Sequence, residues 1–247
     1  MTLLELIYRA RLRLDDYGGD TGTVPEAFPY SYYWEYDDNG CLWKNAELVE
    51  YVNSARNELA RRIPIHDSTT EELTEITLII DEPNYSIDPR ILAIDSVVLA
   101  STGTPLIKLS DAENRSRWRD PYDITFSEPT SVAHYRADFN DFILTVYATP
   151  DETDVLNLAV RRLPLETLLW EDRYLDITEP VAQYHEALLE WVSMQAYLKR
   201  DADTFNAELA GRHQGLFTDA VGPRIQFTHA AVLKEIAGAR LRTRACY

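Results

Sequence analysis

Near the start of the chain apolar side chains return every three or four residues, at Leu3, Ile7, Ala10 and Leu14, a spacing that puts them on one helix face. It predicts an amphipathic helix over 2–16, broken by Gly18-Gly19. The run from Asp20 to Gly40 mixes turn formers with Phe28, Tyr30, Tyr32, Tyr33, Trp34 and Tyr36. Loops are normally polar, so these aromatics need a reason. Either they fold back over the core or, together with Trp43, they meet a neighbouring subunit, because aromatics concentrate in interface cores. A second helix is expected from about 46 to 63, with Asn45 as N-cap, a stripe of Leu48, Val52, Ala55, Leu59 and Ile63, and Pro64 limiting it.

From about 72 to 163 the period drops to two. Leu73–Leu78 alternates strictly, and this β-branched run speaks against the capping-box match Ser68-x-x-Glu71. Ile94–Ala100, the turn Thr102–Pro105 and Leu106–Leu109 predict a hairpin. Ser110-x-x-Glu113 opens a short helix before Pro121, and strands follow at 124–126, 132–136, 142–147 and 155–162. Their spacing predicts a small sandwich or barrel. A long helix then starts with Thr178 as cap and Pro180 in its first turn, striped by Val181, Tyr184, Leu188, Val192 and Ala196. Asp201 or Asp203 caps a last helix with Phe205, Leu209 and Leu216 on one face, fraying near 215 at Gly211 and Gly215. Beyond Gly222-Pro223 the chain turns irregular, with one short helix at 229–237. The expected fold class is α+β: a helical bundle built from N-terminal and C-terminal helices, with an inserted antiparallel β domain and an extended C-terminal tail. The expected boundaries are 1–67, 68–165, 166–222 and 223–247.

Charge changes the picture. Among 247 residues, 24 Lys and Arg face 41 Asp and Glu, a net −17. Such a balance disfavours general nucleic-acid binding and docking on anionic membranes. The tail runs the other way: Arg224, Lys234, Arg240, Arg242 and Arg244 against Glu235 give +4, leaving −21 on residues 1–222. Opposite signs on body and tail imply different partners for each. No signal-peptide core or spanning apolar run is visible. Cys41 and Cys246 make neither a disulfide framework nor a four-ligand zinc site, which fits a reducing compartment.

Chemistry is sparse. Neither phosphate-cradling glycine motif nor a G-x-S-x-G elbow occurs. The five histidines, His66, His134, His185, His213 and His229, show no metal spacing. His185 and Glu186 point about 100° apart on a helix, His213 reads as a satisfied core histidine, and His66-Asp67 as an ordinary turn. Pairs such as Asp15-Asp16, Asp37-Asp38, Glu71-Glu72 and Glu171-Asp172 satisfy a glycosidase's separation by chance in so acidic a chain. No enzyme, catalytic residue, metal or cofactor is expected.

Five blocks in order carry a resemblance: Leu3–Ile7 through Leu14-Asp15-Asp16; Leu42–Leu48 through Ala60-Arg61-Arg62; Tyr85–Pro89; Leu156-Asn157-Leu158 through Arg162–Leu165; and Tyr184–Trp191 through Tyr197–Asp201. Over about residues 1–220 they resemble head-to-tail adaptor (connector) proteins of tailed double-stranded-DNA bacteriophages. The β-insert and the aromatic stretch 24–43 are most like adaptors of short-tailed phages. The resemblance implies a virion neck protein assembled in the host cytoplasm. It also implies a homo-oligomeric ring with cyclic symmetry, about twelve copies, between the portal protein and a tail nozzle or tail-tube protein. DNA would pass through the lumen during packaging and ejection without specific binding. It implies a tail that docks on the portal, with Arg224, Phe227, Leu233, Lys234, Ile236, Arg240, Leu241, Arg242, Arg244 and Tyr247 as contacts. Two rivals make different predictions. An acidic, DNA-mimic-like module would hold a basic partner 1:1, and a carboxylate hydrolase would show a deep cleft with convergent acids of raised pKa.

Overall fold

Leu3, Leu6, Ile7, Ala10 and Leu14 are buried on one face of the first helix, α1 (Leu3–Leu14), whose N-cap Thr2 accepts the Glu5 N–H at 3.1 Å. The computed structural model of the chain describes residues 1–16, 38, 40–109, 134–147, 149–201 and 203–224. The fold is α+β. It divides into two units, one of Met1–Ile63 with Pro164–Gln226 and one of Pro64–Leu163. No helix among the described residues is long and apolar enough to cross a membrane.

The first unit is helical. Besides α1 it contains α2 (Asn45–Arg62), α4 (His185–Tyr197) and α5 (Ala207–Val221), around a core that includes Trp43, Leu48, Leu59, Leu188, Val192 and Phe217. Three expectations need correction here. Asn45 is not the cap of α2 but its first residue. The helix starts after Lys44, whose N–H is taken by Glu47 at 2.9 Å, and the Asn45 N–H goes to the Asp38 carboxylate at 2.6 Å. The helix expected after Thr178 starts only at His185, behind a 3₁₀ turn at Ala182–Tyr184. Side chains take the carbonyls that would have begun it: Arg56 Nε binds Glu179 O at 2.7 Å and His185 Nε2 binds Pro180 O at 2.9 Å. Finally, Asn206 and not Asp201 or Asp203 caps the last helix, which runs through both glycines to Val221. Ala210 and Phe217 face the core, while Phe205 and Leu216 stay exposed. Tertiary contacts outweigh the glycine propensity: Phe217 packs on Trp191 at 5.0 Å, and Arg62 reaches Thr218 Oγ1 at 3.0 Å and Gly222 O at 2.8 Å.

Among its described residues the second unit holds two four-stranded sheets. In one, the central β8 (Val155–Arg162) is flanked on one side by β4 (Ile91–Leu99) and on the other by β1 (Ile65–Asp67) and β2 (Glu75–Thr77). The other has the order β3 (Asn84–Ser86), β7 (Ile143–Tyr147), β6 (His134–Asp138), β5 (Ile107–Lys108). A shared core takes Ile94, Val97, Leu156 and Leu158 from the first sheet and Tyr135 and Leu144 from the second. In β4 the buried residues Ile91, Ile94 and Val97 come every third position, because register shifts at Ile91/Ala93 and Ile94/Ser96 turn the strand.

Ile65–Asp67, expected with the N-terminal helices, pairs as β1 with Val160–Arg162. A one-turn helix α3 (Glu71–Thr74) does open at Glu71, so the strand expected from Leu73 begins only at Glu75. The Thr69 and Thr70 N–H groups go to Asp67 and not to Ser68. The turn after β4 bridges back, with Leu106 N–H on Val97 O at 2.9 Å, but β5 then pairs in parallel with β6 and is not the second arm of a hairpin. Phe142, expected in a strand, sits at φ 53 in the turn before β7. The helix expected at Ser110–Pro121, the strand at 124–126 and the helix at 229–237 lie outside the described residues.

Candidate functional site

Three of the five sequence blocks meet at one end of the helical unit, around a buried arginine. Arg11 follows Ala10 on the buried face of α1 and is 0% exposed. Its Nη1 donates to Asp16 Oδ2 at 2.6 Å, and Nη2 donates to Trp43 O at 2.9 Å and Asn45 Oδ1 at 2.8 Å. The Asp16 carboxylate also accepts the Leu42 and Trp43 N–H groups at 2.8 and 3.2 Å. From the last block, Lys199 Nζ reaches Glu47 Oε2 and Leu42 O, both at 2.9 Å, and the Ala196 carbonyl takes the Trp43 indole N–H at 3.1 Å. Sequence reasoning passed over this network. Its only sign was a cation at Arg11, between Ile7 and Leu14 on an otherwise apolar face.

The network joins the two roots of the aromatic stretch, Asp16 on one side and Asp38 to Trp43 on the other. Trp43 itself lies in the core, 2% exposed and edge-on to Tyr197. Phe28, Tyr30, Tyr32, Tyr33, Trp34 and Tyr36 lie outside the described residues. The tail also has a fixed root. Arg62 lies over the Phe217 ring at 4.8 Å, holds Gly222 O and pairs with Glu58, and Glu58 in turn faces Arg224 at 3.5 Å. Of the expected tail contacts, Phe227, Leu233, Lys234, Ile236, Arg240, Leu241, Arg242, Arg244 and Tyr247 lie outside the described residues.

Helices α1 and α4 run side by side in the same direction, linked by ion pairs of Arg9 with Glu186 and of Arg13 with Glu186 and Glu190. The end near Ala196 carries exposed Leu42, Leu198 and Phe205. The opposite end is built by residues 164–181, a segment read from sequence only as an acidic exit from the β region. Asn53 clamps Leu168 through both N–H and C=O, Arg56 holds Glu166 O and Glu179 O, and the Leu4 and Ile177 N–H groups bond to Arg173 O and Met1 O. Leu168, Trp170 and Ile177 turn inward, while Leu169, Tyr174, Leu175 and Val181 are more than half exposed. The sign available in sequence was apolar residues without periodicity in Leu168-Leu169-Trp170 and Tyr174-Leu175.

Among the described residues, no acid–base machinery is assembled at either end. His185 is buried against Pro180 O, and burial lowers its pKa despite that hydrogen bond. His213 pairs with Glu190 at 2.7 Å and stacks on Tyr197. His66 faces Asp95 at 3.4 Å on an exposed strand. Burial raises the Cys41 thiol, suppressing its thiolate. Among the described residues two carboxyls depart clearly from ordinary values, and both go down. Burial pushes Asp67 up, but hydrogen bonds from Thr69, Thr70 and Arg162 outweigh it and hold the group well below the carboxylate range. Hydrogen bonds from Arg90 lower Asp88. A general acid needs the opposite shift. A polar cleft of about 450 Å³ beside α2 is lined by Glu50, Glu58 and Glu166 together with Asn53, Asn57 and Trp191. Among the described residues no cluster of His, Cys, Asp or Glu is arranged to hold a metal.

Fixed roots for two long segments and apolar surface at two ends are what the described residues of the helical unit offer a partner. A family model described as SU10 adaptor protein matches residues 1–243, and the chain belongs to that family. It is a bacteriophage structural protein, an adaptor of the virion neck acting with portal and tail components. No curated protein matches the sequence.

Proposed function

We propose that copies of this adaptor close into a ring of about twelve with cyclic symmetry, joining the portal to the tail and forming a conduit for DNA. The family match over residues 1–243 carries this reading. Charge supports it: −21 on residues 1–222 gives a lumen that repels phosphate, so DNA slides and is not held. The cationic tail, rooted at Arg224, docks on the portal, while the β unit faces a nozzle or tail-tube protein, as in short-tailed phages. The aromatic stretch lies between subunits.

Native mass measurement of the full chain with and without portal tests the ring. A closed oligomer of a dozen or so copies on the portal is expected. A solitary chain on the portal, or a stable 1:1 complex with a basic partner, overturns it. In the assembled ring a band of Asp and Glu should line the bore, and a neutral or basic bore refutes the conduit argument.

A further inference from the structure

We infer that the exposed apolar surface at the 164–181 end of the helical unit, centred on Leu169, Tyr174 and Leu175, is the seat for the aromatic segment 17–37 of a second copy. This rests on the ring reading above and names the two surfaces that make its subunit contact.

The seat is built, not incidental. Three successive turns, with Asp172 N–H on Leu169 O, Arg173 N–H on Trp170 O and Leu175 N–H on Asp172 O, hold residues 169–175 in one compact piece. The Arg173 guanidinium lies over the rings of Trp170 and Tyr174 at 5.2 and 4.5 Å, which fixes both. Leu169, Tyr174, Leu175 and Val181 remain 55–64% exposed, rimmed by Glu171, Asp172 and Asp176. An apolar patch with a polar rim marks an interaction surface.

The occupant follows from where the aromatic segment starts and ends. Its roots, Asp16 and Asp38, are bound at the other end of α1 and α4, and thirteen residues of α4 put the two ends about 20 Å apart. A head-to-tail ring needs two unlike surfaces at opposite sides of each subunit, and these two are unlike. The segment holds Tyr17, Phe28, Tyr30, Tyr32, Tyr33, Trp34 and Tyr36 for an apolar seat to cover. A segment folded onto its own seat would use up this surface within one copy, leaving Leu42, Leu198, Phe205 and Leu216 as the other large apolar residues exposed among the described residues of the helical unit, against a net charge of −17. Charge does not draw the two together. The segment carries Asp20, Glu26, Glu35 and Asp37 and no cation, facing an acidic rim. The contact is therefore apolar, and salt strengthens it by screening like charges.

The test places a benzophenone side chain at Leu175 of the full chain and assembles normal and ¹⁵N-labelled copies together on the portal. Photocrosslinks from Leu175 to peptides spanning 17–37, joining labelled to unlabelled copies, are expected, with severalfold higher yield in high salt than in low. The double variant L169D/L175D, with helix content unchanged by circular dichroism, should show at least a tenfold loss of ring. Crosslinks confined to one copy, crosslinks reaching other regions, or a double variant that still closes overturn the inference while the ring stands. A wild-type chain that stays solitary on the portal overturns the ring and this contact with it.

Discussion

Replacing Arg11 by methionine separates a buried ion pair from the exposed pairs around it. The guanidinium is fully enclosed and serves Asp16, Trp43 O and Asn45 Oδ1. Methionine keeps most of the aliphatic stem, so the cost is mainly electrostatic: Asp16, 3% exposed, loses its cationic partner. Breaking a buried pair from one side costs about 3–5 kcal/mol. The Leu42 and Trp43 N–H groups still hold that carboxylate, which sets the expectation near the lower end, about 3 kcal/mol. At about 4 °C per kcal/mol for a unit of this size, the helical unit should melt about 12 °C lower. Near-UV circular dichroism follows Trp43, Trp170 and Trp191 in that unit. R13M is the control. Arg13 binds Glu186 and Glu190 at a side-chain exposure of 32%, so its loss should cost at most about 1 kcal/mol. A drop for R11M of under about 3 °C, or an R13M penalty as large, would refute the reasoning. The apolar double variant R11M/D16L should recover only part of the loss, because Asp16 also satisfies two backbone N–H groups.

Acid should weaken both units. The folded Asp67 carboxyl is lowered, so its contribution is full above about pH 4, where the unfolded carboxyl titrates, and declines as pH falls toward the folded value. D67N should flatten that limb in a thermal-shift series; an unchanged pH profile counts against it. His185 is lowered too, so the helical unit begins losing stability below about pH 6.5, and H185Q should remove that step. A Cβ at Gly211 or Gly215 meets nothing within 4 Å, and neither has a positive φ. G211A and G215A should therefore each raise monomer stability by about 0.5–1 kcal/mol in urea titration, and destabilisation by either would mean α5 is not helical there. Deleting residues 223–247 should leave a folded chain that no longer binds portal, and unchanged binding removes the tail from that role.

Much of the architecture was legible because it was local. α1 and β8 fall where their periods place them, since each buries one regular face. β4 was read from Ile94 onward only, because its two register shifts replace alternation by a three-residue spacing that no strand template matches. α5 outran its sequence forecast because Phe217, Trp191 and Arg62 lie far apart along the chain, and their contact offsets two glycines. The two ends of the helical unit were harder still to read. Leu169 and Leu175 look like ordinary loop leucines until Asn53 and Arg56 pin the backbone beside them.

The amino-acid order alone determined the alternation of helical and two-residue periods, the acidic body with its cationic tail, and the blocks that resemble phage adaptors. These depend on neighbours in sequence or on simple sums of charge. Tertiary structure decided that Arg11 is a buried keystone and that Trp43 belongs to the core. It also decided that residues 164–181 are hydrogen-bonded onto the helices and leave Leu169, Tyr174 and Leu175 exposed, because burial and pairing are set by residues tens to more than a hundred positions away.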